Sequence, residues 1–299
     1  VNYKTFASNE MLYSAIKGGG NSYDVIIPSD YMVARMGEEG LLMELDYSKI
    51  PNAENIDERY LHPAYDTEQK YSLPYMWGTT GIIYNTTMVD KAPTSWMDLF
   101  TTDLKGQVLI FDNPRDCIGL VLKALGYSFN TTDKDEIAEA TDLLIKQKED
   151  GIVQAYVMDQ IFDKMINNEA AMGTYYAGDY LTMVEENPDL AFVQPEEGSN
   201  LFVDAMCIPT CSKNYEDALA FINFMCRDDI VLRNCEETGY SCPSATALEE
   251  MDEEMAADPV AYPGADILDK AETFGGLPEE TLTFYDHEWI RICLAKVKY

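Results

Sequence analysis

The residues of this sequence that could do chemistry are carboxylates and aromatic rings. The 299 residues include 53 Asp and Glu, 20 Tyr, 11 Phe and 3 Trp, but only 21 Lys and Arg. Aromatic faces attract organic cations by about 0.5–2 kcal/mol each, and carboxylates accept charge-assisted hydrogen bonds from ammonium groups. A cavity built from these two residue types would suit an organic ammonium ligand, while most of the aromatic side chains are expected in the core.

The formal net charge of −32 excludes nucleic acid as a partner. A surface this anionic repels phosphate backbones and anionic lipid headgroups, and its field draws small cations inward. The apolar content of 46% allows a core of ordinary size, and the length favours two lobes. No run of 18 apolar residues occurs, and the first five residues lack the pattern of a secretion signal. We therefore expect the targeting segment to be absent or removed.

Catalytic and metal-binding signals are weak. The two histidines, His62 and His287, have no nucleophile motif near them, and the glycines at 18–20 are not followed by the Lys and Ser or Thr of a phosphate-binding loop. Cys207 and Cys211 lack a second pair at zinc-finger spacing, so the seven cysteines are interpreted as buried free thiols. We predict a protein that is not an enzyme and that uses no cofactor or metal.

Two corners between a strand and a helix organise the predicted fold. The first follows a strand at 23–27, and Ser29 is expected to cap the helix after it. The second follows a strand at 107–111, and Asp112 or Asn113 is expected to cap the next helix. In open α/β sheets, ligands bind beyond the carboxyl ends of the strands, where such corners converge. These corners are therefore candidate positions for ligand-binding residues.

Apolar runs alternate with amphipathic stretches along the rest of the chain. Further strands are predicted at 73–85, 153–157, 190–194 and 201–209, and a helix is predicted at 215–226. This alternation favours an α/β fold with mostly parallel sheets. The acidic run at 248–258 is interpreted as the solvated face of a helix.

Six segments of the sequence, taken in order, are similar to those of a known protein family. They are YDVIIPSDY at 23–31, LPYMWGTTGI at 73–82, TSWMDLF at 94–100, LGYS at 125–128, FINFM at 221–225 and TGYSCPS at 238–244. Together the chain resembles the spermidine/putrescine-binding proteins of bacterial polyamine ABC importers. The resemblance implies the two-lobed type II periplasmic-binding-protein fold, with mixed, mostly parallel sheets flanked by helices, a hinge of crossing strands and a ligand between the lobes.

The resemblance also implies a domain division and a role. Lobe one would comprise 1–82 and 204–249, lacking the family's first strand, and lobe two would comprise 83–203 and 250–299. The implied role is an extracytoplasmic receptor that binds spermidine or putrescine and delivers it to a membrane permease. The protein would be a monomer in the periplasm, or would be held at the cell surface by a lipid anchor or by fusion to the permease.

Position by position, the resemblance implies eight ligand-binding residues: Ser29, Tyr31, Asn113, Asp116, Tyr176, Phe202, Asp204 and Tyr240. Asp116 and Asp204 fall where the family has carboxylates that grip ammonium groups. Tyr176, Phe202 and Tyr240 fall on aromatic positions.

Several of these positions depart from the family pattern. Asn113 stands where spermidine binders have Asp, and Tyr176 and Phe202 replace tryptophans. Phe274 falls where a Gln is usual. These departures leave the length of the polyamine open.

Two alternatives to a polyamine receptor are weighed. Adjacent tyrosines are iron ligands in some receptors of the same fold class, so Tyr175 and Tyr176 prompt a ferric-iron receptor. A carboxylate-based hydrolase using Asp116 and Asp204 is the alternative from a different class of protein.

Overall fold

The computed structural model describes residues 1–298, which form two compact units. Unit 1 comprises residues 1–78, 202–262 and 273–276. Unit 2 comprises residues 79–201, 263–272 and those from 277 onward. The chain therefore passes between the units within the strand Ser72–Asn85, at the start of the strand Leu201–Pro209, and three more times between residues 262 and 277.

Seven strands are present in the described residues: β1 Leu42–Met43, β2 Ser72–Asn85, β3 Val108–Phe111, β4 Val153–Val157, β5 Met172–Tyr176, β6 Leu190–Val193 and β7 Leu201–Pro209. The α-helices of the same part of the chain are α1 Asn9–Lys17, α2 Asp30–Glu38, α3 Asp98–Thr101, α4 Pro114–Ala124, α5 Lys134–Glu149, α6 Gln160–Ile166, α7 Ala177–Glu186, α8 Tyr215–Met225, α9 Asp228–Thr238, α10 Ala245–Glu250, α11 Glu253–Ala256, α12 Ala265–Leu268 and α13 Glu279–Leu294. None of the helices described for residues 1–298 is long and apolar enough to cross a membrane.

In unit 1, β1 pairs antiparallel with the C-terminal end of β7. The prediction of a strand at 23–27 is wrong, because this segment forms a single isolated bridge to β7, between Ile26 and Cys207. The backbone bonds continue past it, since the amide of Ala205 donates to the carbonyl of Pro28 at 3.0 Å. Pro28 itself has no amide hydrogen to donate, so a regular ladder cannot form there.

In unit 2, the sheet is mixed. β3 pairs parallel with β4 and β5, as the predicted alternation of strands and helices requires. β2, however, pairs antiparallel with β5 and with β6, so parallel pairing in this unit is centred on β3. The surroundings of β3 are apolar. All four of its residues are buried, and α4 buries most of its length against the same core.

The two units differ from the predicted lobes at residues 79–82, 202–203, 250–262 and 273–276. The acidic run is divided between two short helices, α10 and α11, and most of its acidic residues are exposed, as a solvated helix face requires. Met251 lies in the same run but is buried in a cluster with Cys235 and Cys242. The hydroxyl of Tyr262 also accepts a hydrogen bond from the Cys242 amide at 3.0 Å.

The packing at Gly81 in β2 generates a stability prediction. A Cβ atom there would lie 2.3 Å from Cζ of Phe192 and 2.5 Å from the carbonyl oxygen of Val193. Because a backbone atom cannot rotate away, Gly81→Ala should destabilise unit 2 by about 1–3 kcal/mol, measured as a lower midpoint of urea unfolding.

Gly173, on the neighbouring β5, is the matched control for this prediction. Its nearest obstacle is the flexible end of the Ile161 side chain, at 2.8 Å. Gly173→Ala should therefore cost less than Gly81→Ala, and equal costs for the two variants would contradict the argument.

Candidate functional site

The eight predicted site residues divide between the two units. Ser29, Tyr31, Phe202, Asp204 and Tyr240 lie in unit 1, and Asn113, Asp116 and Tyr176 lie in unit 2. The structure brings the three residues of unit 2 together in one cluster. In unit 1 it pairs Ser29 with Asp204 and Phe202 with Tyr240.

The carboxylate of Asp204 is held by a hydroxyl. Ser29 Oγ donates to Asp204 Oδ1 at 2.6 Å, and the two residues also form a backbone bridge. Ser29 occupies the N-cap position of α2, as predicted, although its side chain makes no capping bond. Its Oγ donates to Asp204 instead, and Ser29 caps the helix through its backbone carbonyl, to which the Met32 amide donates.

Asn9, on α1, holds Ser29 from the other side. Its Oδ1 accepts from the Ser29 amide at 3.0 Å, and its Nδ2 donates to Ser29 Oγ at 3.1 Å. Because Ser29 Oγ accepts from Asn9, its single proton points to Asp204. The sequence analysis missed Asn9, since Ser8, Asn9 and Glu10 at a helix start have the signature of ordinary capping residues.

Asp30 is a second carboxylate that the sequence analysis missed in this region. Its side chain is fully buried, and it accepts hydrogen bonds from the Tyr31 amide at 2.6 Å and the Val203 amide at 3.3 Å. These bonds fix the start of α2 against β7. The neighbouring Asp204 is thereby held at a defined distance from Ser29.

The three predicted aromatic site residues of unit 1 take part in two ring contacts. Phe202 and Tyr240 meet edge to face, with centroids 5.7 Å apart. Gly78 allows this contact, because a Cβ there would lie 2.8 Å from Phe202 Cζ. Tyr31 packs edge-on against Phe274 at 6.0 Å, and its hydroxyl donates to a carboxylate oxygen of Glu10 at 2.9 Å.

Carboxylates make this region of unit 1 electronegative. Burial first, and then the charges of Asp30 and Asp204 among others, raise the pKa of the Tyr65 hydroxyl. Burial also raises the pKa of Tyr75 to about 12, and Asp204 contributes in the same direction. Such a field favours a bound cation.

In unit 2, Asp116 lies in the first turn of α4 and is 8% exposed. Its Oδ2 accepts from Asn113 Nδ2 at 2.8 Å and from the Tyr176 hydroxyl at 3.0 Å. The predicted cap by Asn113 is confirmed, because its Oδ1 accepts from the Asp116 amide at 2.8 Å. The amide of Asn113 thus both caps the helix and donates to the carboxylate, which an Asp at this position could not do.

Tyr175, the first of the two adjacent tyrosines, lies in the core of unit 2. Tyr175 is 2% exposed and stacks against Phe111 at 5.7 Å, and its hydroxyl donates to Asp159 at 3.2 Å. Burial raises the pKa of Tyr175, which disfavours the phenolate that ferric iron prefers. Within residues 1–298, no three His, Cys, Asp or Glu side chains are grouped as metal ligands would be. The donor set therefore lends no support to the ferric alternative.

Comparison with known proteins places the chain in a family. The profile of the bacterial extracellular solute-binding proteins matches residues 3–263. The spermidine/putrescine-binding periplasmic protein of Escherichia coli K12 is 35% identical over 274 residues, covering 91% of this chain and 78% of that protein.

Two solved structures are similar over almost the whole chain. A putative spermidine/putrescine ABC transporter from Listeria monocytogenes has 39% identity and a TM-score of 0.93, covering 98% of this chain and 90% of that one. The spermidine/putrescine ABC transporter substrate-binding protein PotD from Streptococcus pneumoniae has 40% identity and a TM-score of 0.85, with the same coverage. The predicted type II periplasmic-binding-protein fold is confirmed, and the chain belongs to the bacterial extracellular solute-binding proteins.

Proposed function

We propose that this protein is the receptor of a polyamine ABC importer, which binds spermidine or putrescine outside the cytoplasm and delivers it to a membrane permease. The observation that carries the proposal is the pair of clusters around Asp204 and Asp116, each a carboxylate held by hydroxyl or amide donors beside aromatic rings. Relatives with 35–40% identity bear names that refer to spermidine and putrescine.

Asp204 suits an ammonium group because of where its charge lies. It stands on β7 between the buried residues Val203 and Ala205. The Ser29 hydroxyl donates one hydrogen bond to the carboxylate and fixes its direction. An ammonium group of a ligand would add a charge-assisted hydrogen bond to the same carboxylate.

Asp116 offers the same chemistry in unit 2. Tyr176 supplies both a hydroxyl donor and a ring, which lies 5.1 Å from the ring of Phe111. In unit 1, Phe202 and Tyr240 supply the corresponding apolar and quadrupolar surface. A polyamine combines methylene segments with ammonium groups, so aromatic rings beside carboxylates match both of its parts.

The other predicted site residues support these two clusters. Ser29 and Asn113 orient the carboxylates, and Tyr31 lies one residue beyond the Asp30 anchor. The proposal assigns binding and delivery by a monomer, with no catalysis and no nucleic-acid partner. Oligosaccharide turnover that is abolished by Asp116→Asn or Asp204→Asn would contradict it.

A thermal-shift screen tests the proposal directly. Putrescine, cadaverine, spermidine and spermine are compared with 1,4-butanediol, which has the putrescine carbon chain but no charge. One or more polyamines should raise the melting temperature in a concentration-dependent manner, and butanediol should not. A response to ferric ion, with none to any polyamine, would overturn the proposal in favour of the iron alternative.

Removal of the Asp204 charge should weaken binding without harming the fold. Asp204→Asn preserves an acceptor for Ser29 but removes the counter-ion of the ligand, so we expect a loss of about 2–5 kcal/mol in polyamine affinity by calorimetry. The unliganded variant should be as stable as the wild type or slightly more so. Asp217→Asn, on the exposed face of α8, makes the same charge change elsewhere and should bind normally.

Loss of one aromatic face should have a smaller effect. Tyr240→Ala is expected to weaken polyamine binding by about 1 kcal/mol, because a cation–π face is lost. Tyr240→Phe keeps the ring and should bind nearly as well as the wild type. Unchanged affinity in the alanine variant would place Tyr240 in the core instead.

The Asn9–Ser29–Asp204 chain predicts coupling between two residues. Asn9→Ala frees the Ser29 hydroxyl to rotate and should cost about 1 kcal/mol of affinity. If Asn9 acts only through the Ser29 hydroxyl, then the double variant with Ser29→Ala should bind as the Ser29→Ala variant does. Additive losses in this double-mutant cycle would show that Asn9 acts by another route.

A further inference from the structure

Two cysteines lie together beside the segment that carries Tyr240. Cys235 is on the last turn of α9, and Cys242 follows seven residues later. They are 2% and 3% exposed and belong to one buried apolar cluster with Val231, Ala247 and Met251. The structure holds both as free thiols.

The two thiols of this cluster act on each other. The interaction with Cys242, together with burial, raises the pKa of the Cys235 thiol, and the interaction with Cys235 lowers the pKa of Cys242. The Ser244 amide also donates to Cys242 Sγ at 3.3 Å.

The segment between the two cysteines is anchored on both sides of Tyr240. Gly239 ends α9 in the left-handed region, with φ of 72°, and its amide donates to the Cys235 carbonyl. The Trp77 indole donates to the Cys242 carbonyl at 3.0 Å. A covalent bond between the two sulfurs would close a short loop that contains Tyr240.

We propose that Cys235 and Cys242 form an intramolecular disulfide when the chain folds in an oxidising extracytoplasmic compartment, and that this bond fixes the position of Tyr240. The effect on ligand affinity rests on the proposed polyamine function, whereas the bond itself does not. Because both thiols are buried in the folded chain, the reaction takes place during folding, before the cluster closes.

The oxidant is a disulfide, and the exchange balances in two steps. The thiolate of one cysteine attacks one sulfur of the oxidant, forms a mixed disulfide and releases one thiolate of the oxidant. The thiolate of the other cysteine then attacks the protein sulfur of the mixed disulfide and displaces the second thiolate of the oxidant. The protein loses two protons and two electrons, and the oxidant is reduced to two thiols.

Refolding in glutathione buffer tests the bond. Unfolded, reduced protein is refolded with oxidised and reduced glutathione or with reduced glutathione alone, and is then analysed by intact mass and peptide mapping. The wild type should lose two hydrogen atoms only with oxidant, with a peptide linking Cys235 to Cys242. Cys235→Ser should abolish this change, and Cys226→Ser, at another buried cysteine, should retain it.

Stability and affinity give independent measurements on the wild type. The oxidised form should melt about 5 °C higher than the reduced form, and it should bind spermidine about threefold more tightly because less loop freedom is lost on binding. Unchanged mass after oxidative refolding, or a cross-link between other cysteines, would overturn the inference even if polyamine binds. If the bond forms but neither redox form binds a polyamine, then the proposed function fails and the disulfide stands.

Discussion

The hydrogen bond from Ser29 to Asp204 forms only if both residues are held in place, and several groups of unit 1 hold them. A carboxylate on a strand flanked by buried residues needs donors that hold it in place without consuming its charge. Ser29 meets this need because Asn9 fixes its hydroxyl and the backbone bridge fixes its main chain. Asp30, buried at the start of α2, locks that helix to β7, so the geometry depends on the core rather than on an exposed loop.

Unit 2 also holds a carboxylate in place, that of Asp116, but it does so with a helix N-terminus. Asp116 is placed by a helix N-terminus, where the partial positive charge of the helix favours an anion. Asn113 combines capping with donation to the carboxylate, and Tyr176 donates from the end of β5. The departure of Asn113 from the family pattern therefore has a structural role in addition to any effect on the ligand.

Local patterns predicted the elements well and the tertiary partners poorly. The predicted strands at 153–157 and 201–209 coincide with β4 and β7, because apolar runs between turn residues carry their own boundaries. The acceptor of Ser29 is 175 residues away in the chain, so a capping role was the only one that local sequence could suggest. The burial of Met251 could not be predicted from its acidic neighbours in the sequence, because it depends on a cluster that includes residues of other helices.

The donors around a carboxylate show what holds it in the fold. Glu272 accepts from the ammonium of Lys123 and from Ser128, and although burial opposes them, these donors hold the pKa of Glu272 below its ordinary value. Such a pair satisfies its own charge within the fold. Asp204 accepts from a serine hydroxyl, and Asp116 accepts from an asparagine amide and a tyrosine hydroxyl. These donors fix the direction of each carboxylate within the fold. With a net charge of −32 drawing cations toward the whole surface, the fixed direction of these two carboxylates sets them apart from the many exposed ones that serve solubility.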